Sequence, residues 1–238
     1  MNLKEIVSLY ITEITSIKRY SANTVTAYTK DMDDFVSFCE DNSRNEIESI
    51  NERLIKHYMM SLSESGLDKI SISRKLSSIR GLFKYAFRNE YLKSNPASQI
   101  INPKSTRRLP SIVSYDQIIE VLSKADEDVE HSALIKVIFE LLYGCALRVS
   151  ELCSINLNDI DLSSGTLRVR GKGNKVRIVP VGSKSIIVIK NYLAENSTIK
   201  KDAALLTTES GERVYPRYVY RVVNKYLSKV TDIEKRSP

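Results

Sequence analysis

The hydrophobic positions of this chain follow two periods. Over the first hundred residues they recur every three or four positions, the spacing of helices with one buried face. "NLKEIVSLYITEITSIK" lines up Ile6, Leu9, Tyr10 and Ile14. "SANTVTAYTKDMDDFVSFCE" lines up Val25, Tyr28, Met32, Phe35 and Phe38 behind Ser21, Asn23 and Thr24, all good cap residues. "NERLIKHYMMSLSES", closed by Gly66, predicts a third helix. "SISRKLSSIRGLFKYAFRNEYL" predicts a fourth, with Ile72, Leu76, Ile79, Phe83 and Phe87 on one stripe. Four helices with short connections predict a helical bundle over residues 1–100.

The pattern breaks in "INPKSTRRLPSI". Its prolines, polar residues and the Arg107-Arg108 pair predict a linker over residues 101–112. Beyond it, residues 113–238 predict a second domain. "SYDQIIEVLSKADED" opens with a Ser or Tyr cap, and "SALIKVIFELLYGCA" is apolar nearly all round, as a central helix is. The period then changes to two. Leu167 and Val169 alternate with Arg168 and Arg170, and Val176 and Ile178 with Arg177 and Val179, around a Gly-Lys-Gly-Asn turn. That is a β-hairpin. Two more helices follow, "KSIIVIKNYLAEN" and one led by Pro216, whose apolar face is Val219, Val222, Val223, Tyr226 and Val230. The fold class is mainly α with a small β-hairpin or sheet.

Composition narrows the class without naming a function. The 238 residues are 42% hydrophobic and 27% charged, ordinary for a globular protein with a real core. No apolar run reaches membrane-span length, and the N-terminus has acids in an amphipathic pattern, unlike a signal peptide. Cys39, Cys145 and Cys153 have no metal spacing and read as reduced buried thiols, which points to a cytoplasmic protein. His57 and His131 read as ordinary helix residues. The net charge of +7 is uneven: residues 1–100 carry 14 basic against 13 acidic side chains, and residues 101–238 carry 22 against 16.

The cations are arranged. Arg80, Lys84 and Arg88 recur every four residues in the fourth helix, with Arg74 on the same flank; Arg213, Arg217, Arg221, Lys225 and Lys229 do so in the last. Four-residue spacing drifts only about 40° per step, so each set is a stripe. Acids are nearly absent from both. A stripe can be a solvated face. Two stripes, a basic linker and an arginine-edged hairpin instead suggest a surface that follows a phosphate backbone. Arg170 and Lys175 on the hairpin, Arg107 and Arg108 in the linker, and Ser21 and Thr24 at the head of the second helix complete the candidate contacts.

Two cations sit on turns. Arg148, in "GCALRVSEL", follows a glycine-containing break and stands at a helix start, where free amides favour an anion; its fork can hold two phosphate oxygens. It can equally be a surface arginine paired with Glu151. Lys172 lies between Gly171 and Gly173, where a substrate backbone can come close and an ammonium can donate a proton. It can equally be solvated filler in a hairpin that needs glycines.

Taken in order, "YGCALRVSELCSINLNDIDL" and "LRVRGKGNKVRIVPV" closely resemble the tyrosine recombinases, the phage-integrase and Xer-like family. "SANTVTAYTKDMDDFVSFC" and "SISRKLSSIRGLFKYAF" are similar to that family's N-terminal core-binding, SAM-like domain. The resemblance covers essentially the whole chain. It implies a helical core-binding domain followed by an α+β catalytic domain, closing as a clamp on duplex DNA that carries a specific recombination site. Family chemistry is DNA integration or site-specific recombination: a tyrosine attacks a phosphodiester, forming a 3′-phosphotyrosyl link and freeing a 5′-hydroxyl, with no cofactor and no metal. Arg148 matches the arginine that stabilises the transition state, Lys172 the hairpin general acid, and Glu151 a supporting position.

The family pattern continues with a His-x-x-Arg motif and the nucleophilic tyrosine. This sequence ends "VTDIEKRSP", and none of its thirteen tyrosines matches the nucleophile motif. The expectation is therefore a chain that lacks the last part of the catalytic domain, binds DNA, can self-associate on it, and does not cut. Neither a membrane nor a small-molecule substrate is expected. The alternatives are a non-catalytic regulator or competitor on the same scaffold, and a module that binds an acidic protein.

Overall fold

A computed structural model describes residues 1–103, 113–127, 131–196 and 203–231. The chain divides into two compact units, Met1–Arg108 and Leu109–Pro238, each with its own core. Arg107, Arg108, most of the 101–112 segment and the final residues 232–238 lie outside the described residues.

The first unit contains four α-helices among its described residues: α1 (Leu3–Thr12), α2 (Ala22–Asp41), α3 (Glu52–Glu64) and α4 (Lys69–Arg88). Each starts on a side chain that accepts from an otherwise orphaned amide: Asn2 from Lys4, Ser21 from Thr24, Asn51 from Leu54, and Asp68 from Ile70 and Ser71. Tyr10, Met32, Phe35, Ile55, Leu76, Ile79 and Phe83 meet in the core. Phe35 lies 5.2 Å from Tyr58 and 6.3 Å from Phe83, centroid to centroid, in tilted and edge-on contacts. Two residues of the predicted stripes stay outside, Leu9 and Phe87, 41% and 49% exposed. Leu9 flanks the stripe that Leu3, Ile6, Val7 and Tyr10 set. Phe87 falls in the last turn of α4.

The second unit opens with α5 (Tyr115–Ala125), whose Ser114 and Gln117 exchange bonds as a capping box. Next is α6 (Ser132–Phe139), buried at Leu134, Ile135, Val137, Ile138 and Phe139 as its apolar sequence predicts. A π-turn at Glu140–Gly144 ends it, with Cys145 donating to the Glu140 carbonyl at 3.2 Å. The short helix α7 (Val149–Ser154) leads to a three-stranded antiparallel sheet in the order β1 (Ile160–Asp161), β2 (Thr166–Arg170), β3 (Val176–Pro180). Helices α8 (Ser183–Glu195) and α9 (Pro216–Leu227) complete the unit, with Pro216 in the first turn of α9.

The hairpin is where predicted, with Leu167 opposite Val179 and Arg170 opposite Val176. Its second strand keeps the alternation read from the sequence, with the arginine on the inner side. Val176 and Ile178 face outward, 54% and 62% exposed, while Arg177 and Val179 take the inner face. Among the described residues no helix is long and apolar enough to cross a membrane, and no cluster of His, Cys, Asp and Glu could hold a metal. The three cysteines are free and buried, and burial pushes each thiol up from its ordinary value, Cys39 to about 12.

Candidate functional site

Arg148 is delivered by an awkward piece of backbone. After the π-turn, Ala146 takes φ 49°, the left-handed region that costs a residue with a Cβ. The chain then reverses into α7 with Arg148 as the residue before its first turn, φ −73° and ψ 151°. Its side chain is 69% exposed.

Beneath it lies Glu151, a carboxylate with only 2% of its side chain exposed. One oxygen accepts the Arg148 backbone N–H at 2.9 Å, the other the Arg148 Nη1 at 2.8 Å. Arg177, from the inner face of β3, supplies two more bonds: Nη1 to Oε1 at 2.6 Å and Nη2 to Oε2 at 2.9 Å. Arg177's bonds, helped by those of Arg148 and opposed by burial, lower the Glu151 carboxyl to about 2. The predicted Arg148–Glu151 pair is thus present, and it does not bury the arginine: the guanidinium is held by one edge and remains open to a ligand.

The turn carrying Lys172 packs on the same carboxylate. A Cβ on Gly171 would come 3.1 Å from Glu151 Oε1 and 3.3 Å from Arg177 Nη1, so glycine is what lets the backbone approach. The turn closes with Gly171 N–H on the Lys175 carbonyl at 2.8 Å, and passes through Gly173 at φ 74° and Asn174 at φ 62°. Arg170 bonds Asn174 Oδ1 at 3.1 Å across it, and Lys175 is exposed. The backbone of Lys172 belongs to this turn; its side chain lies outside the described atoms. One buried carboxylate therefore joins the guanidinium of Arg148 to the turn bearing Lys172.

The two cationic stripes differ. On α9, Arg217, Arg221 and Lys225 are exposed. Arg221 lies over the Tyr218 ring at 5.8 Å and donates to the Tyr215 hydroxyl at 3.2 Å; Lys225 lies over Tyr226 at 5.2 Å. Arg213, read as part of this stripe, is not on it. Its guanidinium donates to the Cys153 and Ile155 carbonyls at 3.0 and 3.1 Å, bonding the C-terminal end of α7.

On α4 the expected absence of acids is corrected by neighbouring helices. Arg74 pairs with buried Asp31 of α2. Arg88 bonds both oxygens of Glu13 at 2.5 and 2.6 Å, and these bonds with Lys18 hold that carboxyl below its usual range although burial pushes it up. Arg80 bonds the Ile100 carbonyl and Asn102. Of the four α4 candidates, Lys84 is exposed and Arg80, Arg74 and Arg88 are engaged inside the unit. Ser21 and Thr24 bond one another at 2.8 Å in the cap of α2.

Sequence reasoning did not single out Arg177. Its signal was its parity: on an alternating strand, it is the cation that shares a face with Val179. A cleft of about 450 Å³ between the end of α7 and the hairpin, lined by Ser154, Asn156, Asp159, Arg168, Arg170 and Val176, was also unforeseen. Arg168 is neutralised there by Asp159 at 2.8 and 3.0 Å.

This architecture has known counterparts. Residues 113–237 match the phage integrase family, and residues 7–90 match the phage integrase N-terminal SAM-like domain. The chain belongs to the phage integrase family and is a Xer-like tyrosine recombinase. A tyrosine recombinase XerC from Thermodesulfovibrio yellowstonii is 34% identical over 244 residues, a match that covers all of this chain and 80% of that protein. The XerC of Chlorobaculum tepidum is 31% identical, covering 96% of this chain and 77% of the relative. A lambda integrase (75–356) dimer bound to a COC′ core site shares the fold, with a TM-score of 0.77 at 18% identity over 100% of this chain and 85% of that one.

Proposed function

We propose that this chain binds duplex DNA at a specific recombination site and supplies the Arg148–Lys172 part of a tyrosine-recombinase centre. One observation supports the reading: one buried carboxylate, Glu151, bonds the exposed guanidinium of Arg148 and also Arg177 of β3, the strand that leads out of the Lys172 turn. A single phosphodiester fits such a pair. Arg148 takes its non-bridging oxygens and gathers the charge that grows on them as the phosphorus becomes five-coordinate. The Lys172 ammonium donates its proton to the departing 5′-oxygen. Glu151 touches no substrate; it fixes the fork of Arg148. Arg217, Arg221, Lys225, Lys84, Arg170 and Lys175 hold flanking phosphates, with residues 1–100 and residues 113–238 both engaging the duplex. The assembly of relatives as DNA-bound dimers and tetramers supports self-association on DNA as part of this reading.

A polypeptide limited to these 238 residues is proposed to bind without cutting, since none of its tyrosines matches the family's nucleophile motif. The test uses a nicked suicide duplex that traps any 3′-phosphotyrosyl link. Binding that weakens with salt, and no covalent adduct on a denaturing gel, are the expected results. An adduct refutes the cleavage statement. Binding indifferent to salt between about 0.05 and 0.2 M refutes the phosphate-tracking surface.

A further inference from the structure

We propose that Arg177 is a positioning residue that sets the Lys172 turn against Arg148, so that the two cations reach one phosphate only while its fork is seated on Glu151. The proposal rests on the function argued above and adds a residue to it. Its grounds are local. Arg177 lies on the inner face of β3 and makes two bonds, one to each oxygen of Glu151. The Arg148 backbone and guanidinium occupy the remaining positions on the same carboxylate. At Gly171, one residue before Lys172, a Cβ would meet Glu151 Oε1 at 3.1 Å and Arg177 Nη1 at 3.3 Å, so the turn's backbone passes close to both groups.

The strands meet the turn at Arg170 and Val176, both exposed, and the turn contains two residues with positive φ. The helix start at Arg148 follows the left-handed Ala146. The carboxylate and the fork of Arg177 are the link. A lysine at 177 has the charge but not two parallel donors in a fixed plane. This separates positioning from simple phosphate contact.

The experiment compares wild-type chain with Arg177→Lys, Arg177→Gln, Glu151→Gln and the double variant Glu151→Gln/Arg177→Gln. Two readouts are taken: hydrogen exchange of the amides at 171–175, and the salt dependence of duplex binding. Far-ultraviolet dichroism establishes that each variant folds. Exchange at 171–175 is expected to rise about tenfold in Arg177→Lys and Arg177→Gln while the amides of α8 and α9 are unchanged. The double variant is expected to match the single ones, because both remove the same link. The slope of log affinity against log salt is expected to fall by about 1 to 2 in Arg177→Lys, although no charge is lost.

A wild-type slope with unchanged exchange and unchanged slope in Arg177→Lys overturns the proposal. So does strict additivity of the two single variants. If wild-type binding shows no salt dependence, the proposed function fails, and the exchange readout still decides whether Arg177 sets the turn. If Glu151→Gln does not fold, Arg177→Lys against Arg177→Gln carries the decision.

Discussion

Helices α4 and α9 carry cation stripes of the same spacing, and the protein uses them differently. On α4, Arg74 and Arg88 reach acids on other helices, Asp31 and Glu13, whose side chains are 0% and 9% exposed. Those cations neutralise carboxylates that the bundle has removed from water, and their worth is in stability. On α9, Arg217 and Arg221 are exposed, and the tyrosines beside Arg221 orient its cation without neutralising it. Tyrosine is a good support for a cation that must still meet an anion: its ring and hydroxyl stabilise the charge and leave its field intact. The same four-residue repeat thus marks an internal fastener in one place and a candidate phosphate-binding face in the other.

The most direct way to break this contrast is to reverse charge on each stripe. Arg217→Glu/Arg221→Glu is expected to lower duplex affinity about 100-fold near physiological salt and to reduce the salt slope by about 2, with little change in melting temperature. Fluorescence anisotropy across a salt series measures both. Arg74→Met is expected to do the opposite: stability falls by about 2 kcal/mol because buried Asp31 loses one of its partners, while affinity stays within about twofold. Urea denaturation gives the first quantity and the same anisotropy series the second. A large loss of affinity in Arg74→Met at unchanged stability would place α4 with α9 and end the distinction.

The sequence carried the helices well because their signals are local. Ser21, Asn51 and Asp68 cap where capping residues occur, and the buried stripe of α4 is Ile72, Leu76, Ile79 and Phe83 as spaced. The two-residue strand β1 was illegible, being too short to show a period. The facing of β3 was not legible in the sequence, for a physical reason. Alternation fixes that Arg177 and Val179 share a face, but not which face is inner, and a buried Glu151 from a different element makes the arginine face the inner one. The fates of Arg74, Arg88 and Arg213 were illegible for a like reason. Their partners, Asp31, Glu13 and the carbonyls of Cys153 and Ile155, are distant in sequence. Arg148 and Lys172 could be picked out by their turns and by family resemblance, whereas the carboxylate geometry that joins them could not.

A smaller effect distinguishes the Glu151 centre from the α9 stripe by its response to acid. Its carboxyl is lowered from the usual range to about 2 by Arg177 and Arg148, so the folded state binds a proton less readily than the unfolded chain, whose glutamates titrate near about 4.3. The stability it contributes is fully present above that unfolded value and is lost as pH falls toward about 2. Glu151→Gln is expected to flatten the decline of stability across this window relative to wild type, read by denaturation at a series of pH values. Among the described residues no buried carboxylate pairs with Arg217 or Arg221, so Arg217→Glu/Arg221→Glu should leave the acid limb of the curve nearly as it is.

The smallest effect tests whether the tyrosines of α9 shape its cations at all. Tyr215→Phe removes only the hydroxyl that accepts from Arg221 at 3.2 Å and leaves the ring that packs 6.1 Å from Tyr218. An exposed hydrogen bond of this length is worth about 0.5 kcal/mol, so affinity should fall about twofold. The charge is unchanged and the number of phosphates engaged should be too, so the salt slope should not move. A drop in affinity with a constant slope is what orientation predicts: Arg221 makes the same contact after losing more rotamer freedom on binding. A drop accompanied by a slope loss of about 1 would mean that Arg221 has left the phosphate altogether. The hydroxyl would then be holding the contact in place, and the α9 surface would depend on its side-chain bonds as closely as α4 depends on its ion pairs.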